Sequence, residues 1–312
     1  MTGGVPSVVV IGESLVDIVH RGGRVDETPG GSPANVALTL GRLERRVSLV
    51  TALGDDARGQ TVRSWLADSG VDVWAERVDR TATATATLDD EGAATYDFDL
   101  TWNLPATSEV VEASGIRTAA LVHIGSVAAV LEPGASDTAD IVSRVRPTAT
   151  ITFDPTIRPA LVDDASDVLR NVRTLVSNAD IVKASDEDLR WLHPERDVLD
   201  VAREWQRIGP ALVVVTYGAG GAVGVTAHLT VKVPSVPTAV VDTVGAGDTF
   251  MGALIDGILA IDGGTGNLRG SREIDADELE ALLTRCGRAA AITVSRPGAD
   301  PPRLAELDTE VG

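Results

Sequence analysis

The chain has 312 residues, enough for one large α/β domain with a substantial core and at most a small appendage. Its formal charge of −19, from 46 acidic against 27 basic side chains, argues against nucleic acid or an anionic membrane as partner. A locally positive pocket for an anionic ligand is still compatible with that balance.

Strand-like and helix-like segments alternate from the start. "SVVVIG" (7–12) reads as a strand, and "SPANVALTLGRLE" (32–44) as a helix, with Ser32 at the N-cap, Pro33 in the first helical position and Val36, Leu40 and Leu43 on one face. "RVSLVTALG" (46–54) is a strand and "RGQTVRSWLADSG" (58–70) a helix closed by Gly70. "ALVHIG", "ATITFD", "DIVKAS" and "ALVVVTYG" are four later strands, most of them followed by helical patterns. Strands apolar on both faces and alternating with helices predict a mostly parallel sheet covered by helices. One region differs: "TATATATLDDEGAATYDFDL" (81–100) alternates with period two on both sides of Asp-Glu-Gly, a hairpin signal. Together with "LVDIVHRGG" (15–23) it predicts a small separate β-sheet. "IDGGTGNLRGSREIDADE" reads as a Gly- and charge-rich loop between two helices.

Other features bound the function. Cys286, the only cysteine, excludes an internal disulfide framework. Arg285 and Arg288 beside it would lower its pKa, but it lies in a helical pattern with no base nearby and carries no expected role. His20, His123, His193 and His228 show no metal-ligand spacing. Only Lys183 and Lys232 are lysines, which reads as compositional bias. No basic segment precedes the first strand and no apolar run approaches about 18 residues, so a soluble, cytoplasmic protein is expected.

The segment with most chemical content is "VVDTVGAGDTF" (240–250). "TAVVD" (238–242) reads as a strand or its end, and "TFMGALIDGILAI" as a helix with Phe250, Leu254, Ile258 and Ile261 on one stripe. Gly245-Ala246-Gly247-Asp248 then lies at a helix N-terminus, where free N–H groups and the helix dipole favour an anion. Glycines admit a phosphate to the backbone, and Asp248 at the rim is a candidate proton acceptor. A tight turn with Asp248 as N-cap would use the same residues. The segment lacks the Gly-Lys-Ser/Thr ending of a P-loop, and Phe250 stands where a dinucleotide fingerprint needs its third glycine. A second glycine pair, Gly30-Gly31, precedes the helix at Ser32, with Asn35 in its first turn.

Together these two segments resemble, in order and separation, the two signatures of the ribokinase-like (PfkB) sugar kinase family. "VIGESLVDIV", "FDPTIRPAL" (with Thr156 where fructokinase-type members have Asn), "VKASDEDLRWL", "VVVTYGAGGAV" and "AAAITVSRPGADPP" extend the resemblance over essentially the whole chain. The resemblance implies a single three-layer α/β/α domain with a mostly parallel central sheet, and a small β-sheet lid formed by segments about 14–29 and 72–104. It implies ATP-dependent phosphorylation of a sugar hydroxyl. Asp248 would be the base, and Gly245, Ala246 and Gly247 would form an anion hole, with Arg158 reaching the phosphates. Asp17, Gly30, Gly31 and Asn35 would bind the sugar. Tyr96 and Phe98, two aromatics on one alternating face of the hairpin, would cover it, or else serve hairpin packing or a dimer contact.

By the same resemblance Lys183, Ser185, Thr216, Gly218 and Gly221 belong to the nucleotide site. Asp188, one methylene shorter than the family's usual Glu, would hold magnesium through water. Asp242 and the carbonyls near Thr293, Arg296 and Gly298 match a potassium-binding loop. The segments are most similar to bacterial fructokinases, with 2-keto-3-deoxygluconate kinases as the alternative; a non-catalytic sugar-binding protein on the same fold is a further one. Exposed lid sheets often pair across a two-fold axis, so a homodimer is expected.

Overall fold

The structure is a computed structural model that describes residues 7–88, 94–104, 108–162, 164–261 and 274–309. Among these, thirteen strands form two sheets. The strands are β1 (Ser7–Ile11), β2 (Leu15–Arg21), β3 (Arg24–Gly30), β4 (Arg46–Gly54), β5 (Val71–Val78), β6 (Ala82–Leu88), β7 (Ala94–Asp99), β8 (Leu121–Gly125), β9 (Thr150–Asp154), β10 (Ile181–Ser185), β11 (Leu212–Thr216), β12 (Ala222–Val225) and β13 (Thr230–Val233). The main sheet has the order β13-β12-β11-β10-β9-β8-β1-β4-β5. From β11 to β5 all neighbours are parallel; β12 and β13 close one edge as an antiparallel pair.

The helices are α1 (Ser32–Arg42), α2 (Ala57–Ala67), α3 (Glu109–Ala113), α4 (Gly134–Val145), α5 (Ala165–Asn178), α6 (Asp186–Leu192), α7 (Val198–Ile208), α8 (Ala246–Ile261), α9 (Ala276–Val294) and α10 (Leu304–Asp308). Strand alternation divides the interior into two cores. Val9 and Ile11 of β1 join the core beneath α4, α5 and α7, whereas Val8 and Val10 join the one beneath α1, α2, α8 and α9. That is the three-layer arrangement the apolar strands predict.

Helix α8 is enclosed all round: from Phe250 to Leu259 every residue is buried, including Asp256, whose carboxylate pairs with Arg45 and Arg285. It therefore lies inside the layer, between α1 and α9, and not on its surface. A Cβ on Gly252 would sit 2.6 Å from Thr39, so this glycine lets α8 and α1 cross closely. That crossing sets the N-termini of the two helices side by side.

The second sheet has the order β3-β2-β6-β7. Strands β6 and β7 pair antiparallel, Ala84 opposite Phe98 and Ala86 opposite Tyr96, as the period-two pattern predicts. The Asp-Glu-Gly turn between them lies outside the described residues, as does most of the 261–278 loop. Two boundaries differ from expectation. Residues 71–78 belong to the main sheet, parallel to β4, so the small sheet takes up residues 15–30 and 82–99. The "TAVVD" run forms no strand; Val240 and Val241 are exposed, and Val241 N and Asp242 N donate to Val294 O at the end of α9, at 2.8 and 3.2 Å, instead of to a strand.

Candidate active site

The site forms where the carboxyl ends of β1, β9 and β10 meet the N-termini of α1 and α8, the usual place for ligands in a parallel sheet. Helix α8 begins at Ala246, so Asp248 lies in its first turn, as the sequence predicts. Gly245 has φ +75, and its Cβ would lie 2.6 Å from the Ala299 side chain. Only glycine fits that turn, and it lets the 298–299 loop close over the start of α8.

Asp248 is largely buried and takes two side-chain hydrogen bonds from α1. Ser32 Oγ donates to Oδ1 at 2.7 Å and Asn35 Nδ2 donates to Oδ2 at 2.8 Å. Ser32 is therefore not the expected N-cap. Gly31, at φ +105, caps α1, and Ser32 is its first residue, with its hydroxyl freed to reach the other helix. Nothing in the local sequence marks this role, because the partner lies 216 positions away. Asn35 divides its amide: nitrogen faces the carboxylate and the buried Oδ1 has no partner.

The glycine pair also has steric causes. A Cβ on Gly30 would lie 2.1 Å from Asp17 Oδ2, and one on Gly31 2.8 Å from the Glu13 carbonyl. The Asp17 carboxylate thus rests against backbone at the foot of the small sheet, and burial pushes it up to about 6. Glu13 escaped the sequence reading. It lies in the middle of the loop between β1 and β2 and is almost fully buried, with Oε2 unpartnered. Burial pushes its carboxyl up to about 7, against a hydrogen bond from Ser126 and the attraction of Arg158. Arg158 is exposed, donates to its neighbour's carbonyl, Ile157 O, at 3.3 Å, and acts on both Glu13 and Asp17 through its charge.

Beneath α8 lies a buried ion pair. Lys183 Nζ of β10 is 2.8 Å from Asp154 Oδ2 of β9, and both side chains are at most 5% exposed. Burial pushes Asp154 up to about 6, Lys183 being the main opposing influence. Burial would lower the Lys183 ammonium, but Asp154, then Asp188 and Asp248, outweigh it and hold it above its usual value.

Ser185 caps α6, and Asp188 completes a capping box with it. Asp188 Oδ1 also accepts from Ile157 N at 2.8 Å, so this carboxylate ties the β9 loop to α6. Its oxygens are occupied by protein donors, which fits contact with a cation through water better than direct ligation. No cluster of three or more His, Cys, Asp or Glu among the described residues could hold a metal by itself.

Thr216 lies beside Ser185 in register, and Gly218 and Gly221 shape the turn after it, both at positive φ. Asp242 accepts from Val244 N at 3.0 Å and Gly298 N at 2.8 Å, joining the two loops named for a monovalent cation. Thr293 is buried and meets Thr249 Oγ1 at 2.9 Å; the Arg296 side chain leaves the site to pair with Asp300 and Glu306. Phe98 is half-buried on β7. Cys286 is buried and inert: burial raises its thiol, overriding the neighbouring arginine. His123 is locked against Thr152, and burial holds it down at about 3.

The profile of the pfkB family carbohydrate kinases matches residues 6–305. The chain belongs to the pfkB carbohydrate kinase family. It is an ATP-dependent sugar kinase. This kinase is 32% identical over 257 residues to a fructokinase of Klebsiella pneumoniae, covering 80% of this chain and 84% of that one. It is 30% identical over 298 residues to a fructokinase of Salmonella typhimurium, covering 94% of each. An ATP-bound fructokinase from Xylella fastidiosa has the same fold, with a TM-score of 0.84 at 25% identity and 96% of each chain covered. Among the described residues no helix is long and apolar enough to cross a membrane.

Proposed function

We propose that this kinase phosphorylates a free, neutral ketohexose, D-fructose, at its 6-hydroxyl. The observation that carries the reading is the charge of the sugar end. The buried carboxyls of Glu13 and Asp17 each feel the negative charge of Asp248 there, and Arg158 is the cation that opposes it on both. Such a pocket favours uncharged hydroxyls and disfavours a substrate with its own carboxylate or phosphate. The fructokinase relatives point the same way. The alternative, 2-keto-3-deoxygluconate, would bring a carboxylate that only Arg158 could receive.

In this reading the sugar oxygen attacks the γ-phosphorus, the bond to the β-bridging oxygen breaks, and ADP leaves. Asp248 takes the hydroxyl proton; Ser32 and Asn35 keep its carboxylate aimed. The N–H groups of Gly245, Ala246 and Gly247 stabilise charge on the transferring group. Magnesium carried on the nucleotide phosphates would neutralise their charge, with Asp188 meeting its water shell. Ser185, Thr216, Gly218 and Gly221 border the nucleotide, and the loops joined by Asp242 would hold potassium through backbone carbonyls. Arg158 would reach the phosphates, and the small sheet, with Phe98, would cover the sugar and exclude water; the Tyr96 side chain lies outside what the structure describes. We take the kinase as a cytoplasmic homodimer paired through that sheet.

The test is a coupled ADP-release assay with magnesium-ATP across fructose, 2-keto-3-deoxygluconate, ribose, glucose and adenosine, with Asp248→Asn as control. Turnover greatest on fructose, falling by about 10²–10⁴-fold in the control, is the expected result. Preference for another compound would sink the fructose assignment, and full activity of Asp248→Asn would sink the base.

A further inference from the structure

The buried pair of Lys183 and Asp154 needs a reason to exist. A buried ion pair is weak support for stability, since desolvating two charges offsets most of their attraction. This one lies directly under the start of α8. A Cβ on Gly247 would be 3.0 Å from Lys183 Nζ, so the ammonium rests against the second residue of the helix. Three carboxylates, Asp154, Asp188 and Asp248, act on that one ammonium. Without it, a polyphosphate approaching the Gly-Ala-Gly turn would meet net negative charge in a water-poor setting, where repulsion is strong.

The composition adds an independent argument. Of 27 basic residues only two are lysine, so the chain uses arginine almost everywhere a cation is needed. Position 183 departs from that habit at a place where space is limited. A planar guanidinium is longer and broader than an ammonium and would not fit between Asp154 and Gly247.

Resting on the kinase reading above, we propose that Lys183 is the fixed cation of the γ-phosphoryl hole. Asp154 holds it in place, and Gly247 is glycine so that the ammonium can approach. The backbone N–H groups of the turn supply direction, and Lys183 supplies the charge. Asp154 Oδ2 anchors the ammonium, while its Oδ1 stays buried and unpartnered, leaving the pair no second internal donor.

The role predicts discrimination between nucleotides that differ only in the γ-phosphate. Calorimetric titrations of β,γ-methylene-ATP and of ADP would be compared in the wild-type protein, Lys183→Met and Lys183→Arg, with thermal melts to verify folding. Lys183→Met is expected to weaken the methylene analogue by about 10-fold or more while ADP affinity changes less than about threefold. Turnover should fall by at least about 100-fold, and Lys183→Arg should restore neither. Equal changes for both nucleotides, or none, in a folded variant would make Lys183 a structural residue and overturn the proposal. Should Lys183→Met not fold, Gly247→Ala serves instead: its Cβ crowds Nζ, and the same selective loss is expected, with unchanged selectivity overturning the idea. Wild-type protein that binds neither nucleotide would sink the kinase reading itself, a distinct outcome.

Discussion

The two sheets of this kinase solve different problems. The main sheet carries strands buried on both faces, β8 and β9 throughout and β1 from Val8 onward, and uses that rigidity to hold charge out of water at its carboxyl edge: Asp154, Lys183 and Asp188, with Glu13 on the loop after β1. The small sheet is more open, with β3 exposed from Arg24 to Thr28 and β6 mostly half-buried, and it is short of large apolar side chains. Asp56 accepts from Thr81 N and Oγ1, anchoring the entry to β6, and Arg58 pairs with Glu27 of β3. A rigid floor can sustain unpaired buried oxygens because close packing leaves them nowhere to move; a lightly held cover can shift to admit substrate. The contrast separates the residues that set the chemistry from those that set access to it.

The contrast is tested most severely at Glu13, where the floor passes into the cover. Its folded pKa, about 7 against 4.5, means that its neutral form suits the fold and its charged form does not. The stability it contributes is therefore complete below about pH 4.5 and is lost as pH rises through 7. That amounts to roughly 3 kcal/mol as an upper figure. Urea unfolding at pH 5 and pH 8 should show Glu13→Gln spared this loss; identical pH slopes in the two proteins would mean the carboxyl is not desolvated.

A smaller effect is expected at the turn itself. Gly245→Ala places a methyl against Ala299 at a backbone angle that alanine avoids. Turnover should fall about 100-fold through misplacement of the anion hole, with the circular dichroism spectrum retained. Activity within threefold of wild type would remove the turn from the chemistry. The smallest effect belongs to the cover. Phe98→Ala should raise the sugar KM by about threefold to tenfold and leave kcat and the melting midpoint nearly unchanged. A large fall in stability would show that the small sheet is part of the structural core.

Much of the site was legible because it is local. A helix N-terminus with small residues and an acid in its first turn occupies consecutive positions, and Gly245 to Asp248 lie where periodicity sets them. Ser32 and Glu13 were not legible in this way. A serine before a helix proline reads as a cap, and the role passed to Gly31 only because Asp248, from a distant helix, claims the hydroxyl. Likewise "TAVVD" has strand composition, but its backbone bonds to the end of α9 and not to a sheet edge, a partner far along the chain that local composition does not show.

The sequence by itself determined the alternation of strands and helices, the period-two hairpin and the two glycine turns, since these follow from side-chain spacing and backbone freedom within a few residues. Tertiary structure alone decided which groups meet. Gly252 brings α1 against α8, so Ser32 and Asn35 hold Asp248; adjacent parallel strands set Lys183 on Asp154 beneath Gly247; and enclosure between two sheets raises Glu13. Each depends on packing between segments far apart in the chain, and on the exclusion of water that only a closed interior provides.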